Sequence, residues 1–93
     1  MSTILSKLEA QLKERQSDLP EGSYATKLFK EGIDRILRKV GEEAGELIIA
    51  AKNNDKAEIC NETADLLFHV MVALREREID FSEVLAVLEA RHH

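Results

Sequence analysis

The sequence is poor in residues that cross-link or interrupt a chain, with one cysteine, one proline, four glycines and no tryptophan among 93 residues. A single cysteine excludes an intrachain disulfide and is typical of proteins from a reducing compartment. The N-terminus lacks the uninterrupted apolar core of a signal peptide. The longest mostly apolar run, residues 64–74, contains Asp65 and His69 and is too short to span a bilayer. We therefore expect a cytoplasmic protein with no membrane partner.

Positive charge is also scarce, because 13 Lys and Arg residues face 18 Asp and Glu residues, for a net charge of -5. Binding to a nucleic-acid backbone relies on a positive surface, so a nucleic-acid partner is not expected. The chain is 44% hydrophobic with interspersed charges, which favours folding over disorder. One small domain, residues 1–93, is close to the size at which a single chain struggles to bury enough apolar surface. Oligomerisation is therefore expected.

Apolar residues recur at helical spacing along nearly the whole chain, and no stretch alternates as a half-buried strand would. The sequence thus predicts an all-α fold. Five helices are expected: one ending at residues 17–22, one capped by Ser23 and running to Phe29, one from Ile33 to Asn53, one opened by Asp55 and running to Arg77, and a short one after Asp80. The predicted core stripe of the third helix is Ile33, Ile36, Leu37, Val40, Ala44, Leu47, Ile48 and Ala51.

The third and fourth helices are joined by a connection too short for a crossover, so they must form an antiparallel hairpin. The fourth helix contains the segment "ADLLFHVMVAL", which is apolar almost all round and has to be covered on every side. Either the same chain wraps this helix or a second subunit covers it, and the small size of the chain favours the second explanation. The sequence therefore predicts a helical bundle that is built on this hairpin and completed by homodimerisation.

Acidic residues occupy matching heights on the two helices of the hairpin. Glu46 and Glu62 are each eight positions from Asn54, and Glu43 and Asp65 are each eleven positions away. The two acids on each helix are three residues apart and share a face. Converging carboxylates are unfavourable unless a cation offsets their charge, and ligands that are all oxygen favour Mg²⁺ first and Mn²⁺ second. The alternative is that these acids are solvated or paired with nearby basic residues.

Cations and polar groups near these acids are candidates for substrate binding, since Mg²⁺ held by a few carboxylates usually also meets substrate phosphates. Lys39 and Lys52 share the acids' helix, and Lys27 lies on the helix before it. Each is equally interpretable as a solvated lysine. Tyr24 is a candidate for contact with a base or ribose, with packing as the alternative. His69 is expected to be a hydrogen-bonded core or interface residue rather than a ligand.

Other residues carry structural expectations only. Cys60 is expected to be a small core residue, because the sequence shows no partner that would activate its thiol. Gly41 and Gly45 each cost roughly 1 kcal/mol relative to alanine inside a helix, so we expect another helix or a ligand to approach there. His92 and His93 are assigned no role.

The segments "EEAGE" and "NETAD" resemble the Glu-Glu-x-x-Glu and Glu-x-x-Asp signature of the all-α, MazG-like nucleotide pyrophosphohydrolases. Within that superfamily, "SYATKL", "EGIDRILRKVGEEAGELIIAAK" and "ETADLLFHVMVAL" resemble the phosphoribosyl-ATP pyrophosphohydrolase family, over essentially the whole chain. The resemblance implies a helical homodimer that hydrolyses phosphoribosyl-ATP with Mg²⁺. The products are phosphoribosyl-AMP and pyrophosphate, in the second step of histidine biosynthesis.

The same resemblance implies roles for five acids: Glu43, Glu46, Glu62 and Asp65 as metal ligands, with Glu42 completing the signature. Glu42 and Glu43 are the candidates for the catalytic base, and a two-metal arrangement with a bridging water is equally open. Two alternatives remain for function. One is a pyrophosphohydrolase acting on other nucleoside triphosphates, and the other is a non-catalytic helical dimerisation module.

The chain departs from the family pattern at two positions. Ala25 stands where the family has threonine, and Phe68 stands where tyrosine commonly precedes the histidine of the fourth helix. Both changes leave the acids intact, so they bear on how the substrate is contacted rather than on the reaction.

Overall fold

The computed structural model of the chain describes residues 3–92, and within that range the fold is all-α, as predicted. No helix in this range is long and apolar enough to cross a membrane. His93, which was assigned no role, lies outside the described residues. The helices are α1 (Thr3–Asp18), α2 (Tyr24–Glu31), α3 (Ile33–Lys52), α4 (Lys56–Glu76) and α5 (Phe81–Arg91).

The helix-start signals of the sequence act as capping groups. The Ser23 hydroxyl accepts a hydrogen bond from the backbone N–H of Thr26 at 3.3 Å, and an Asp55 carboxylate oxygen accepts one from the N–H of Glu58 at 3.2 Å. Each bond satisfies a donor that has no partner within the first turn of a helix. Asn54, with a φ of 55°, reverses the chain between α3 and α4. These two helices therefore form the predicted antiparallel hairpin.

The buried core lies at the end of the hairpin away from this turn, where α1 and α2 pack across α3 and α4. Its buried members are Leu12, Ala25, Leu28, Ile36, Met71 and Val72. Each large apolar side chain buried in this way contributes about 1.5–3 kcal/mol relative to exposure. This cluster anchors the hairpin and fixes how its two helices face each other.

The predicted core stripe of α3 is wider than the stripe that a single chain buries. Leu37 is 50% exposed, Ile48 is 63% exposed and Ala51 is also exposed. The prediction that these three residues lie in the core is therefore wrong for the single chain. The buried residues of α3 are Ile36, Glu43 and Ala50. They are seven residues apart, which is the spacing of a narrow coiled-coil seam. Because Glu43 occupies the middle position of that seam, it is buried against α4.

The fourth helix is covered by its own chain more completely than expected. Its large apolar residues between positions 66 and 74 are all at least partly buried, since α1, α2 and α3 pack around it. The most exposed large apolar side chains of the hairpin lie instead on α3, at Ile48 and Ile49. Cys60 is exposed, so its predicted place in the core is wrong. Homodimerisation itself stays a prediction.

Candidate metal and substrate site

Three carboxylates from the two hairpin helices converge on one point. Glu43, Glu62 and Asp65 each offer one carboxylate oxygen, and these oxygens lie within 4.8 Å of one another. Glu43 comes from the seam of α3, whereas Glu62 and Asp65 project from one face of α4. Glu43 and Asp65 are equally far from Asn54, and Glu62 is as far from it as Glu46, which predicted that the acids of the two helices would face each other. The hairpin register brings Glu43, Glu62 and Asp65 together. We call these three residues the acidic cluster.

Glu46, one turn beyond Glu43, is coupled to the acidic cluster. Its pKa is raised, first by a hydrogen bond with Glu43 and then by the negative charge of Glu43. The pKa of Glu62 is also raised, first by desolvation and then by the charges of Glu46, Asp65 and Glu43. Neighbouring anions and lost hydration both disfavour the charged form of a carboxyl group. Glu46 is therefore coupled electrostatically to the same group of acids as Glu62.

Lys39 supplies the positive charge next to this region. Its Nζ lies 3.3 Å from Oε2 of Glu43 and 3.5 Å from Oε1 of Glu42. Desolvation acts to lower the pKa of Lys39, but the hydrogen bond to Glu43 and the nearby negative groups outweigh it, and the pKa is raised. Glu42 is outside the acidic cluster, and half of its side chain is exposed. Lys39 therefore stays charged and links the two adjacent glutamates.

The acidic cluster fits a hard divalent cation. Ligand oxygens in an octahedral Mg²⁺ site are about 2.1 Å from the ion, which puts them roughly 3 to 4.2 Å from one another. The cluster oxygens, all within 4.8 Å, need only a small adjustment to reach that spacing. The donor set also consists only of carboxylate oxygens, without the histidine or cysteine that softer metals prefer.

An open cavity of about 190 Å³ adjoins the acidic cluster on the side of the hairpin turn. Its lining residues are Glu46, Ile49, Ala50, Asn53, Asp55, Glu58 and Glu62. Sequence reasoning did not single out Asn53 or Glu58 as site residues. The available signal was helical spacing, because Asn53 is seven residues after Glu46 and Glu58 is four residues before Glu62.

Tyr24 and His69 connect α2 to the acidic cluster. The Tyr24 hydroxyl lies 2.8 Å from Nε2 of His69, and Nδ1 of His69 lies 2.7 Å from the backbone oxygen of Asp65. His69 is only 5% exposed, which confirms that it is a hydrogen-bonded core residue. The ring of Tyr24 also stacks on Phe68 with a centroid separation of 6.0 Å.

The other two lysines proposed for substrate binding lie apart from the acidic cluster. Lys52 is exposed at the last residue of α3, six residues or about 9 Å along the helix axis beyond Glu46. Lys27 is exposed on α2 and lines a separate cavity of about 350 Å³, together with Ser23 and Lys30. Of the predicted cations, Lys39 is the one that the structure places against the acids.

Comparison with known proteins gives a family match over nearly the whole chain. Residues 5–92 match the family described as phosphoribosyl-ATP pyrophosphohydrolase. The phosphoribosyl-ATP pyrophosphatase of Leptospira biflexa is 51% identical over 89 residues, which cover 96% of this chain and 97% of that protein. The enzyme of the same name from Streptococcus gordonii is 52% identical over 88 residues, covering 95% of this chain and 85% of the relative.

Longer relatives also match. The histidine biosynthesis bifunctional protein HisIE of Halalkalibacterium halodurans is 56% identical over 89 residues, covering 96% of this chain. The matched region is 42% of that protein, so the chain spans less than half the length of this bifunctional relative.

Proposed function

The chain belongs to the phosphoribosyl-ATP pyrophosphohydrolase family, and we propose that it hydrolyses phosphoribosyl-ATP between the α and β phosphates. The products are phosphoribosyl-AMP and pyrophosphate, and the reaction is the second step of histidine biosynthesis. Relatives about 51% identical over most of the chain carry the name phosphoribosyl-ATP pyrophosphatase. The observation that carries the proposal is the meeting of three carboxylates within 4.8 Å in a chain of this family.

The proposed cofactor is Mg²⁺, with Mn²⁺ as a substitute, held by Glu43, Glu62 and Asp65 and with Glu46 beside them. Bound there, the ion supplies positive charge that offsets the charge of the phosphate oxygens and of the departing pyrophosphate. The proposal is supported by the raised pKa values of Glu46 and Glu62, which indicate that the acids repel one another without a cation. It is also supported by the oxygen-only donor set of the cluster.

Residues around the acidic cluster are proposed to bind the substrate and to accept a proton. Lys39 holds Glu43 in position and carries N–H donors that suit a phosphate oxygen of the substrate. Glu42 is the acid of the catalytic pair that lies outside the cluster, so it is available to accept the proton of the attacking water. Lys27 and Lys52 remain proposed substrate contacts, and both lie apart from the acidic cluster.

Incubation with phosphoribosyl-ATP and Mg²⁺, followed by measurement of pyrophosphate and phosphoribosyl-AMP, tests this function. We expect Asp65→Asn to lose nearly all activity, and the matched control Glu89→Gln, on the exposed face of α5, to keep it. Folded wild-type protein that releases no pyrophosphate from phosphoribosyl-ATP would overturn the proposal. Faster hydrolysis of dCTP or dUTP would instead favour a pyrophosphohydrolase for other nucleoside triphosphates.

We also propose that the chain functions as a homodimer whose interface borders the site. Ile48 and Ile49 are 63% and 62% exposed on α3, and Ile49 lines the same cavity as Glu46. Cβ atoms built at Gly41 and Gly45 would meet nothing within 4 Å among the described residues, so this face of α3 has room for a closely approaching helix. A second copy covering this face would enclose the cavity beside the acidic cluster.

A further inference from the structure

The hydrogen bonds of His69 fix which of its ring nitrogens carries the proton. Nδ1 lies 2.7 Å from the backbone oxygen of Asp65, and a carbonyl oxygen only accepts hydrogen bonds. Nδ1 must therefore carry a hydrogen and donate it. In the neutral imidazole the other nitrogen, Nε2, then bears a lone pair and accepts. One backbone carbonyl thus sets the tautomer of a side chain that is only 5% exposed.

This tautomer fixes the direction of the Tyr24 hydroxyl in turn. The hydroxyl oxygen lies 2.8 Å from Nε2 of His69. With the imidazole neutral, Nε2 is the acceptor and Tyr24 donates. The Tyr24 hydroxyl then uses its one hydrogen in the bond to His69. Its oxygen can therefore only accept hydrogen bonds from other partners. The phenol ring is held by stacking on Phe68 and by an edge contact with His69 at a centroid separation of 5.6 Å.

The Tyr24 hydroxyl lies at the edge of the candidate site and is accessible to a ligand. Tyr24 is 46% exposed, so a ligand can reach it. Its hydroxyl contacts His69, which in turn contacts the backbone oxygen of Asp65, a member of the acidic cluster. Tyr24 therefore stands at the edge of the cluster on the side of α2.

We infer that His69 is a positioning residue that holds Tyr24 as a hydrogen-bond acceptor for the nucleoside part of the substrate. A phosphate oxygen at neutral pH also accepts, so it is a poor partner for an oxygen whose only proton is already donated. A hydroxyl or amino group of a nucleoside donates and fits. This inference rests on the proposed function and adds an orientation for the substrate, with its nucleoside part at Tyr24 and its phosphates at Lys39 and the cluster.

The tautomer is testable without activity. Nitrogen NMR of the ¹⁵N-labelled protein at about pH 8, where an ordinary histidine is neutral, reports which imidazole nitrogen is protonated. The His69 signals are assigned by their loss in His69→Gln. We expect a protonated Nδ1 and an unprotonated Nε2, and the opposite tautomer would overturn the inference. A wild-type protein without phosphoribosyl-ATP hydrolysis would refute the proposed function but leave this result standing.

Steady-state kinetics test the role of the pair. Tyr24→Phe keeps the stacked ring and removes one hydrogen bond to substrate, so KM should rise about three- to tenfold with little change in kcat. His69→Phe should raise KM similarly, because it frees the Tyr24 hydroxyl to turn. His69→Gln, whose side-chain oxygen accepts, should restore part of the loss. His92→Phe, an exposed histidine at the end of α5, is the matched control and should change neither constant.

The double variant decides between positioning and simple packing. If His69 acts through the Tyr24 hydroxyl, Tyr24→Phe combined with His69→Phe should be no worse than either single change. Effects that multiply, or a loss confined to kcat, would mean that His69 only supports the fold. Circular dichroism checks that each variant is folded. If His69→Phe does not fold, Tyr24→Phe alone is decisive, because an unchanged KM there would overturn the inference.

Discussion

Replacing Glu43 by glutamine is the sharpest test of the acidic cluster, because it removes a charge while keeping the size of the side chain. Glu43 has a side chain only 8% exposed, with Oε2 3.3 Å from Nζ of Lys39. The change removes this attraction, and it also removes repulsion from Glu62 and Asp65. Because the two effects oppose each other, we expect the free energy of unfolding without metal to change by less than about 1 kcal/mol.

The response to Mg²⁺ should change much more. A ligand that binds only the folded state at ten times its dissociation constant adds about 1.4 kcal/mol to the free energy of unfolding. For a domain of this size, that raises the melting temperature by roughly 6 to 11 °C. Losing one of three cluster ligands should weaken binding at least about tenfold, the low end for the loss of a residue that merely supports a metal ligand. At the same Mg²⁺ concentration, the free energy of unfolding of Glu43→Gln should then increase by about 0.4 kcal/mol or less. This corresponds to a rise in melting temperature of at most roughly 3 °C.

Thermal melts with and without MgCl₂, at fixed ionic strength and protein concentration, measure this difference. The matched control is Glu42→Gln, which alters the adjacent acid outside the cluster and should keep most of the Mg²⁺ shift. A Glu43→Gln variant that keeps the wild-type shift would show that Glu43 does not bind the ion. Loss of the shift to the same extent in both variants would also rule out a specific site, because the ion would then respond only to total charge.

Three further predictions concern the core, pH dependence and assembly. Ile36→Ala should lower the free energy of unfolding by about 2–5 kcal/mol in urea titrations, because this side chain is fully buried, whereas Ile49→Ala should cost far less. Glu46 and Glu62 have raised pKa values, so the folded state binds their protons more tightly than the unfolded state does. Without Mg²⁺, the free energy of unfolding should therefore fall as pH rises from the ordinary carboxyl pKa of 4.5 through the raised pKa values of these two groups. Thermal melts in EDTA in which stability increases over this pH range would contradict the assignment. A homodimer formed through the exposed face of α3 should dissociate when Ile48 is replaced by lysine, as read by sedimentation; wild-type protein that is monomeric and fully active at nanomolar concentration would count against it.

Local sequence patterns specify the helices and the position of the acids along them. Helical periodicity, the Asp55 cap and the short connection at Asn54 are local features, so they specify an antiparallel hairpin without knowledge of the rest of the chain. Once the hairpin is given, counting residues from the turn is enough to set Glu43 opposite Asp65. Local spacing thus predicted which carboxylates meet.

The buried faces of the helices and the pairing of distant groups depend on tertiary packing. The apolar stripe of α3 does not reveal that α1 and α2 cover only one end of the hairpin, so Ile48 was expected in the core and is exposed. The bond between Tyr24 and His69 joins residues 45 positions apart, and no periodicity encodes it. Burial and long-range hydrogen bonds depend on how helices pack in three dimensions, whereas the pattern along one helix records only which of its residues share a face.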